Sequence, residues 1–243
     1  MILAILQARM SSTRLPGKVM ADLAGKPMIL RQIERINRSQ KIDQLLVATS
    51  LEASDDILAQ LCESANINCY RGDLQDVLAR FYHAATNFHS INDKPTHVVR
   101  LTADCPLTDP SVIDEVISLH LDGHYAYTTN AVPHTFPDGL DVEVMSYSAL
   151  ESAYQNAATA TEREHVTPYL RQHTEQFANG SLTCPNDLSA LRWTVDYPED
   201  LQLVQRIFSS LYQQNPKFTY FDILTLLEQH PEWQQLNNAY VVT

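Results

Sequence analysis

The sequence lacks several patterns that would assign a chain to a functional class directly. Its four cysteines form no CxxC pair and no Cys/His spacing typical of zinc, which predicts reduced thiols in a cytoplasmic protein. No apolar run approaches the roughly 20 residues that cross a bilayer. The short apolar start has no basic segment before it. Neither membrane insertion nor a secretory signal is therefore expected.

Positive charge is also scarce in this sequence. The 243 residues include 17 Lys and Arg against 29 Asp and Glu, giving a formal net charge of −12. This acidic balance argues against non-specific binding to nucleic acid, so no nucleic-acid partner is expected. A polyphosphate ligand would need local cations and a divalent metal to outweigh the repulsive overall field.

Neither of the common glycine-rich phosphate loops occurs in the chain. GxxxxGK[ST] is absent because Lys18 is followed by Val19, and no GxGxxG is present. Instead, a predicted strand at residues 2–6 leads into a loop of hydroxyls, cations and one glycine. Its polar members are Arg9, Ser11, Ser12, Thr13, Arg14, Gly17 and Lys18. Such a loop offers donors and countercharge to a polyphosphate, the alternative being an exposed basic loop without a ligand.

Hydrophobic patterning predicts alternating strands and helices through the first half of the chain. The predicted strands cover residues 2–6, 44–49, 68–70 and 97–102. The predicted helices cover residues 28–37, 54–64, 73–88 and 111–120. Ser54 and Ser111 are expected to cap two of these helices. Short connections between such elements predict an α/β fold with a mostly parallel sheet and helices on both faces.

The pattern changes from about residue 124. Further short strands are predicted at residues 125–130, 141–146 and 193–195. Further helices are predicted at residues 148–156, 162–173, 198–211 and 219–229, and the loop at 179–186 is the one linker-like segment. We interpret residues 1–243 as a single domain in which residues 124–190 form a small inserted α+β region.

Two aspartates are predicted at the carboxyl ends of strands, where open α/β sheets bind their ligands. Asp104 follows the strand that ends in Thr102, and Asp196 follows residues 193–195. Magnesium commonly uses one or two carboxylates together with phosphate oxygens and waters. Asp104 and Asp196 therefore predict a divalent-cation site for a phosphate substrate. The competing interpretation is that each aspartate only caps a turn or a helix.

Two further segments carry candidate ligand residues. Arg71 follows the predicted strand 68–70, whereas Asp76 and Arg80 are expected to form an i,i+4 ion pair on the next helix. A second group lies around a Pro-Asp-Gly turn and on the helix downstream. These residues are equally consistent with hydrogen bonding to a polyhydroxy substrate and with ordinary solvated surface positions. Its members are Asp138, Asp141, Glu143, Glu162 and His165.

Several of these segments resemble one family. QARMSSTRLPGK at residues 7–18 resembles the nucleotide-binding loop of the cytidylyltransferases that activate sialic acids and 3-deoxy-manno-octulosonate. The segments that resemble the spore-coat polysaccharide biosynthesis protein F branch are RG at 71–72, DVLAR at 76–80, DCPL at 104–107, FPDGLDVE at 136–143, REHVTP at 163–168 and DYPED at 196–200. The resemblance covers about residues 1–210. The octulosonate enzymes carry SGTER where this chain has RGDLQD, which leaves the sugar open.

The resemblance implies a Rossmann-like nucleotide-diphospho-sugar transferase fold, with residues 124–190 serving sugar binding and homodimerisation. It implies Mg²⁺-dependent transfer of CMP from CTP to a sugar, expected to be an acidic 2-keto sugar for surface polysaccharide, with release of pyrophosphate. Asp104 and Asp196 would hold the metal, and Lys18, Arg14 and Asp196 would be catalytic. The implied nucleotide-binding residues are Ala8, Arg9, Ser11, Ser12, Arg14, Lys18, Arg71, Thr102 and Asp104. The sugar would bind Asp138, Asp141, Glu143, Glu162 and His165.

Two other functions stay open at this point. A nucleotide-sugar-dependent glycosyltransferase shares the general architecture, but it normally holds its metal through an Asp-x-Asp pair. Here Asp104 is followed by Cys105 and Pro106. The second alternative is a non-catalytic nucleotide- or sugar-binding subunit of a polysaccharide assembly.

Overall fold

A computed structural model describes residues 1–88 and 94–241. The strands are β1 (Ile2–Gln7), β2 (Asp22–Leu23), β3 (Lys26–Pro27), β4 (Gln44–Ser50), β5 (Asn68–Gly72), β6 (His97–Thr102), β7 (Tyr127–Thr129), β8 (Glu143–Ser146) and β9 (Asn179–Ser181). The helices are α1 (Met28–Ile36), α2 (Asp56–Ser64), α3 (Val77–Thr86), α4 (Pro110–Asp122), α5 (Tyr147–Asn156), α6 (Ala160–His165), α7 (Pro168–Gln172), α8 (Pro198–Leu211) and α9 (Tyr220–Gln229).

Seven of the strands form one sheet in the order β5-β4-β1-β6-β8-β7-β9. The first four of these are parallel to one another, β8 runs antiparallel to both β6 and β7, and β9 is parallel to β7. The prediction of a mostly parallel α/β sheet is confirmed. The strands of residues 124–190 extend this same sheet beyond β6, while β2 and β3 form a separate small hairpin.

Alternation along β1 explains why both faces of the sheet carry helices. Leu3 and Ile5 pack into one apolar core with residues of α3, α5 and α7. Ala4 and Leu6 pack into the other core with residues of α1, α4, α8 and α9. Because successive side chains of a strand point to opposite faces, one apolar strand supplies both cores. This arrangement leaves the ends of the strands free for loops.

Some predicted element boundaries were wrong at the helix starts. Ser54 does not cap α2, because a 3₁₀ turn at Ala53–Asp55 precedes that helix. Asp109, two residues before Ser111, caps α4 by accepting a hydrogen bond from the Ser111 N–H. Pro110 then takes the first helical position, where its missing N–H costs no hydrogen bond.

Three other predictions for the second half were wrong. Residues 193–195 form no regular strand, and residues 179–181 belong to β9 rather than to a linker. The helix predicted at 162–173 is split into α6 and α7, since Val166 has φ 71° and α7 begins at Pro168. Inside a continuous helix Pro168 would remove one backbone hydrogen bond and clash with the carbonyl four residues earlier, which favours a break before it. Within residues 1–88 and 94–241, no helix is long and apolar enough to cross a membrane.

Candidate active site

The loop that follows β1 borders a cavity of about 200 Å³ at the carboxyl ends of β1 and β6. Its lining residues are Gln7, Ala8, Arg9, Ser12, Thr13, Arg14, Lys18, Val19, Thr102, Ala103, Asp104 and Asp196. The structure thus brings together most of the predicted nucleotide-binding residues. Because β1 and β6 are parallel neighbours, their ends open onto the same edge of the sheet.

Asp55 anchors the middle of this loop. Its Oδ1 accepts the Met10 N–H at 2.7 Å, and its Oδ2 accepts the Ser50 N–H at 3.0 Å and the Thr49 hydroxyl at 2.9 Å. Burial raises the pKa of this carboxyl, but the hydrogen bonds from Ser50, Met10 and Thr49 outweigh it and lower the pKa. Sequence reasoning did not identify Asp55 as a site residue. Its position just beyond a strand end was the available signal.

Lys18 lies between the two predicted metal-binding aspartates. Its Nζ donates to Asp104 Oδ2 at 3.2 Å, to Asp196 Oδ1 at 2.9 Å and to the Val195 carbonyl at 2.7 Å. Burial lowers the pKa of this ammonium, but the Asp104 charge and the Asp196 contacts outweigh it and raise the pKa. All three N–H bonds therefore have protein acceptors, so a phosphate contact from Lys18 requires one of them to exchange.

The two aspartates form a convergent pair of carboxylates. Both contact the same ammonium, although they lie on loops more than 90 residues apart in sequence. Asp104 has its pKa raised by burial but lowered further by the Lys18 charge, so the net shift is downward. Within the described residues, no group of three or more His, Cys, Asp and Glu side chains is arranged to hold a metal ion. A metal here would take most of its ligands from elsewhere.

Arg192 ties this pair to a second set of carboxylates, and no sequence motif indicated it. Its Nε and Nη2 each lie 3.0 Å from an oxygen of Asp200, and its Nη1 lies 2.9 Å from Asp138 Oδ2. Nη2 also approaches Asp196 Oδ2 at 3.4 Å. Arg14 contacts that same Asp196 oxygen at 2.8 Å. Asp196 thus contacts three cations, two from the loop after β1 and one four residues before it in sequence.

A second cavity of about 240 Å³ adjoins the first. Its lining residues are Arg100, Thr102, Ala131, Asp141, Glu143, His165, Thr167 and Arg171. Thr102, the last residue of β6, lines both cavities. The structure therefore places three of the five predicted sugar-binding residues in a polar space beside the phosphate loop.

Glu143 is fully engaged by the protein in this second cavity. Its Oε1 accepts hydrogen bonds from the Tyr127 hydroxyl at 2.5 Å and the Thr167 hydroxyl at 2.6 Å, and its Oε2 pairs with Arg100. Burial raises the pKa of Glu143, but the Arg100 charge and these hydroxyls outweigh it and lower the pKa. This carboxylate organises the cavity wall more than it offers a free acceptor.

Asp141 differs from Glu143 in having an oxygen without a partner. Its Oδ1 is buried and has no hydrogen bond among the residues that the structure describes. Burial, followed by the charges of Asp138, Glu143 and Asp104, raises the pKa of Asp141 to about 7, against a smaller lowering effect of Arg100. Near neutral pH this side chain exists both as an acid and as a carboxylate.

We expect Asp141 to make the stability of the protein depend on pH. The unfolded pKa is about 3.9. Between that value and about 7 the folded state holds a proton that the unfolded state lacks, so stability falls as pH rises through this window. The free energy of unfolding of an Asp141→Asn variant should vary less with pH, so that at pH 8 the variant is more stable than the wild type. Urea unfolding from pH 4.5 to 8, with exposed Asp122→Asn as the matched control, measures this. Parallel profiles for wild type and Asp141→Asn would contradict it.

The remaining predicted sugar-binding residues lie outside this wall. Asp138 pairs with Arg192, and burial raises its pKa despite that guanidinium. Glu162 completes the capping box of α6, where its Oε2 accepts the N–H groups of Ala158 and Thr159. The oxygen of Glu162 that makes these bonds is occupied by its own helix end.

Arg71 and Ser11 are not among the residues lining the first cavity. Arg71 donates to the carbonyls of Ser50 and Glu52 and pairs with Asp56 at 2.7 Å, which braces the connection from β4 to α2. Its predicted nucleotide contact stays a prediction, and these three partners show a structural use for the side chain.

The expected ion pair between Asp76 and Arg80 is not formed. Asp76 instead caps α3 by accepting the Ala79 N–H at 2.9 Å, and it lies 3.5 Å from Arg163. Arg80 is buried and donates to the carbonyl of Asp73. Helix capping at the first residue directs Asp76 away from the i+4 position.

Comparison with known proteins identifies the family of this chain. A family model described as cytidylyltransferase matches residues 3–239. The chain is 33% identical to an uncharacterised protein of Methanocaldococcus jannaschii, over 98% of this chain and 94% of that protein. It is 32% identical to the spore coat polysaccharide biosynthesis protein SpsF of Bacillus subtilis, over 95% of each. The match beyond residue 210 shows that the expected end of the resemblance was wrong.

Solved structures show the same relationship. A cytidylyltransferase from Leptospira borgpetersenii superposes with a TM-score of 0.89 at 30% identity, covering 96% of each chain. CMP:2-keto-3-deoxy-manno-octonic acid synthetase, solved with CTP, superposes with a TM-score of 0.62 at 16% identity, covering 86% of this chain and 98% of that one. The latter likeness concerns the fold. By its sequence over nearly its whole length, the chain belongs to the cytidylyltransferase family of nucleotidyltransferases.

Proposed function

We propose that the protein transfers CMP from CTP to a sugar, with Mg²⁺ as cofactor and pyrophosphate as the second product. The observation that carries this is the meeting of two polar cavities at Thr102. The first has loop cations and two convergent carboxylates, which suit a metal-bound triphosphate. The second has hydrogen-bonding groups, which suit a polyhydroxy acceptor. Their shared wall is where the α-phosphorus and the acceptor hydroxyl would meet.

The donor set fits magnesium in this proposal. Asp104 and Asp196 supply two hard carboxylate ligands, and both already converge on one positive charge at Lys18. Magnesium takes one or two protein carboxylates and completes its shell with phosphate oxygens and waters. A bound Mg²⁺ would neutralise oxygens near the reacting phosphorus and orient the triphosphate.

The chain's own residues supply positioning and countercharge for in-line transfer. The acceptor oxygen attacks the α-phosphorus while the bond to pyrophosphate breaks, so the leaving group gains negative charge. Arg14 and Lys18 lie on the loop that borders the first cavity and stabilise that charge. Reactions of this type depend mainly on alignment and electrostatics.

The second cavity favours an acidic sugar. Arg171 and His165 line it, and within the described part of the chain neither side chain forms an ion pair. Arg100, in contrast, is neutralised by Glu143. A carboxylate on the sugar would find its countercharge at Arg171, as an acidic 2-keto sugar requires. The name of the Bacillus subtilis relative supports a place in surface polysaccharide biosynthesis.

The test is a pyrophosphate-release screen. Four nucleoside triphosphates are combined with a panel of 2-keto acid sugars and neutral sugars, with and without Mg²⁺. We expect release with CTP, Mg²⁺ and an acidic sugar together. Release of a nucleoside mono- or diphosphate from a nucleotide-sugar donor, without pyrophosphate, would favour a glycosyltransferase. CTP binding without turnover would favour a binding subunit. We also propose that the protein is a cytoplasmic homodimer. Sedimentation equilibrium, which measures the mass of the assembly, tests its oligomeric state.

Asp55→Asn should weaken the phosphate loop. Whichever way the amide is oriented, its NH₂ group faces N–H or O–H donors that now contact a carboxylate oxygen. We expect the free energy of unfolding to fall by about 1–3 kcal/mol and the affinity for Mg²⁺-CTP to fall with it. The matched control is Asp56→Asn, since Asp56 forms an exposed pair with Arg71 that is worth about 0–1 kcal/mol. Equal behaviour of the two variants would count against the anchoring role.

A further inference from the structure

The C-terminal end of the described chain packs against the loop that carries Asp196. We define residues 237–240 as the C-terminal clasp. Asn237 is buried, and its Nδ2 donates to the Arg192 carbonyl at 2.9 Å and to Asp200 Oδ1 at 2.8 Å. Both acceptors belong to the carboxylate–arginine cluster behind the first cavity. The clasp is therefore joined to the site by buried hydrogen bonds, although it comes some 40 residues later in the chain.

An aromatic stack extends this contact toward the cavity. The rings of Tyr240 and Tyr197 lie nearly parallel, with centroids 3.8 Å apart and an interplanar angle of 7°. The Tyr240 hydroxyl also donates to Glu199 at 3.3 Å. Tyr197 directly follows Asp196, so Tyr240 fixes the ring of the residue next to a predicted metal ligand.

Tyr197 in turn supports Arg14. The Arg14 guanidinium carbon lies 5.1 Å from the centroid of the Tyr197 ring, a cation–π distance. The Arg14 side chain is 51% exposed, and its ion-pair partner is Asp196. A long, exposed arginine side chain can adopt many rotamers. The contacts of Arg14 with the Tyr197 ring and the Asp196 carboxylate therefore restrict the direction of its guanidinium.

We propose that Tyr240 is a positioning residue for nucleotide binding: it holds the Tyr197 ring so that Arg14 is presented to the cavity next to Asp196. This inference rests on the proposed function, in which Arg14 contacts the triphosphate. Tyr240 itself does not line the cavity, so its effect passes through Tyr197. The C-terminal clasp thereby becomes part of the working site.

Titration of Mg²⁺-CTP into Tyr240→Ala and Tyr240→Phe tests the proposal. An aromatic pair of this kind contributes about 0.5–1.5 kcal/mol beyond its buried area. We expect Tyr240→Ala to weaken CTP binding about threefold to tenfold. Tyr240→Phe keeps the stack and loses only the Glu199 hydrogen bond, so its affinity should stay within about twofold of the wild type. Inorganic pyrophosphate with Mg²⁺ serves as a second probe, which reports on the cations without the nucleoside.

A double-mutant cycle separates positioning from general destabilisation. In an Arg14→Ala background, Tyr240→Ala should cause no further loss of affinity, because its effect acts through Arg14. Titrations are made at 20 °C on protein shown to be folded by circular dichroism. If Tyr240→Ala does not fold, Tyr240→Leu replaces it, because leucine keeps an apolar side chain at this position but has no aromatic ring. Unchanged CTP affinity in Tyr240→Ala, or an additive loss of affinity in the double-mutant cycle, overturns the positioning role of Tyr240. Wild-type protein that binds neither probe overturns the proposed function instead.

Discussion

Replacing Lys18 by alanine is expected to lower the rate of CMP transfer at least tenfold, which corresponds to about 1.4 kcal/mol in the activation barrier. The ammonium of Lys18 contacts both Asp104 and Asp196, at 3.2 and 2.9 Å. Its removal leaves two carboxylates facing each other beside a triphosphate. It also removes positive charge from the place where the leaving pyrophosphate gains negative charge.

Two comparisons make this result specific to Lys18. Lys26→Ala removes a charge of the same kind from an exposed position on the β2–β3 hairpin, and its turnover should match the wild type. Lys18→Arg keeps the positive charge, but a planar guanidinium takes the place of an ammonium that donates to three acceptors in a buried position. Lys18→Arg should therefore recover little activity. The measurement is pyrophosphate release at saturating CTP and acceptor. Turnover of Lys18→Ala near that of the wild type would remove Lys18 from the mechanism.

The order and type of the elements in the first half could be predicted because local patterns decide them. An uninterrupted apolar run such as that of β1 predicts a buried strand directly, and the strands that follow it in the chain alternate with amphipathic helices. The errors lie where tertiary contacts override local preference. Residues 193–195 look like a strand, yet their backbone N–H groups bond to the carbonyls of Asp138 and Asp104 instead of to a ladder.

The candidate site could be predicted as far as strand ends define it. Lys18 and Asp104 follow strands whose carboxyl ends the sheet brings to one edge. Asp196 reaches the same edge because the Val195 N–H bonds to the Asp104 carbonyl.

Arg192 and Tyr240 could not be predicted, because no spacing rule indicates their contacts with Asp138 and Tyr197, which lie more than 40 residues away. Asp55 has a local signal in its position after a strand, but its bond to Met10 likewise joins distant segments.

Arg192 shows what this distant cluster contributes to stability, and replacing it by methionine should cost about 3–5 kcal/mol of unfolding free energy. Arg192 is 7% exposed and forms a bidentate pair with Asp200, which is fully buried. Burial raises the pKa of Asp200, but hydrogen bonds from Arg192 and Asn237 and from two backbone N–H groups lower it overall. Without the guanidinium, a buried carboxylate loses its main countercharge.

The pH dependence of that loss identifies its cause. In the Arg192→Met variant we expect the deficit to shrink as pH falls from 8 to 5, because a protonated Asp200 no longer carries an uncompensated charge. Adding Asp200→Asn should recover part of the stability, since the two residues are in contact and their effects do not add. Arg206→Met, on the exposed side of α8, should stay within about 1 kcal/mol of the wild type, since it loses only a cation–π contact with Trp233. Denaturant unfolding at the two pH values measures all four proteins. A deficit below about 1 kcal/mol for Arg192→Met would show that Asn237 and the backbone N–H groups suffice to hold the Asp200 carboxylate.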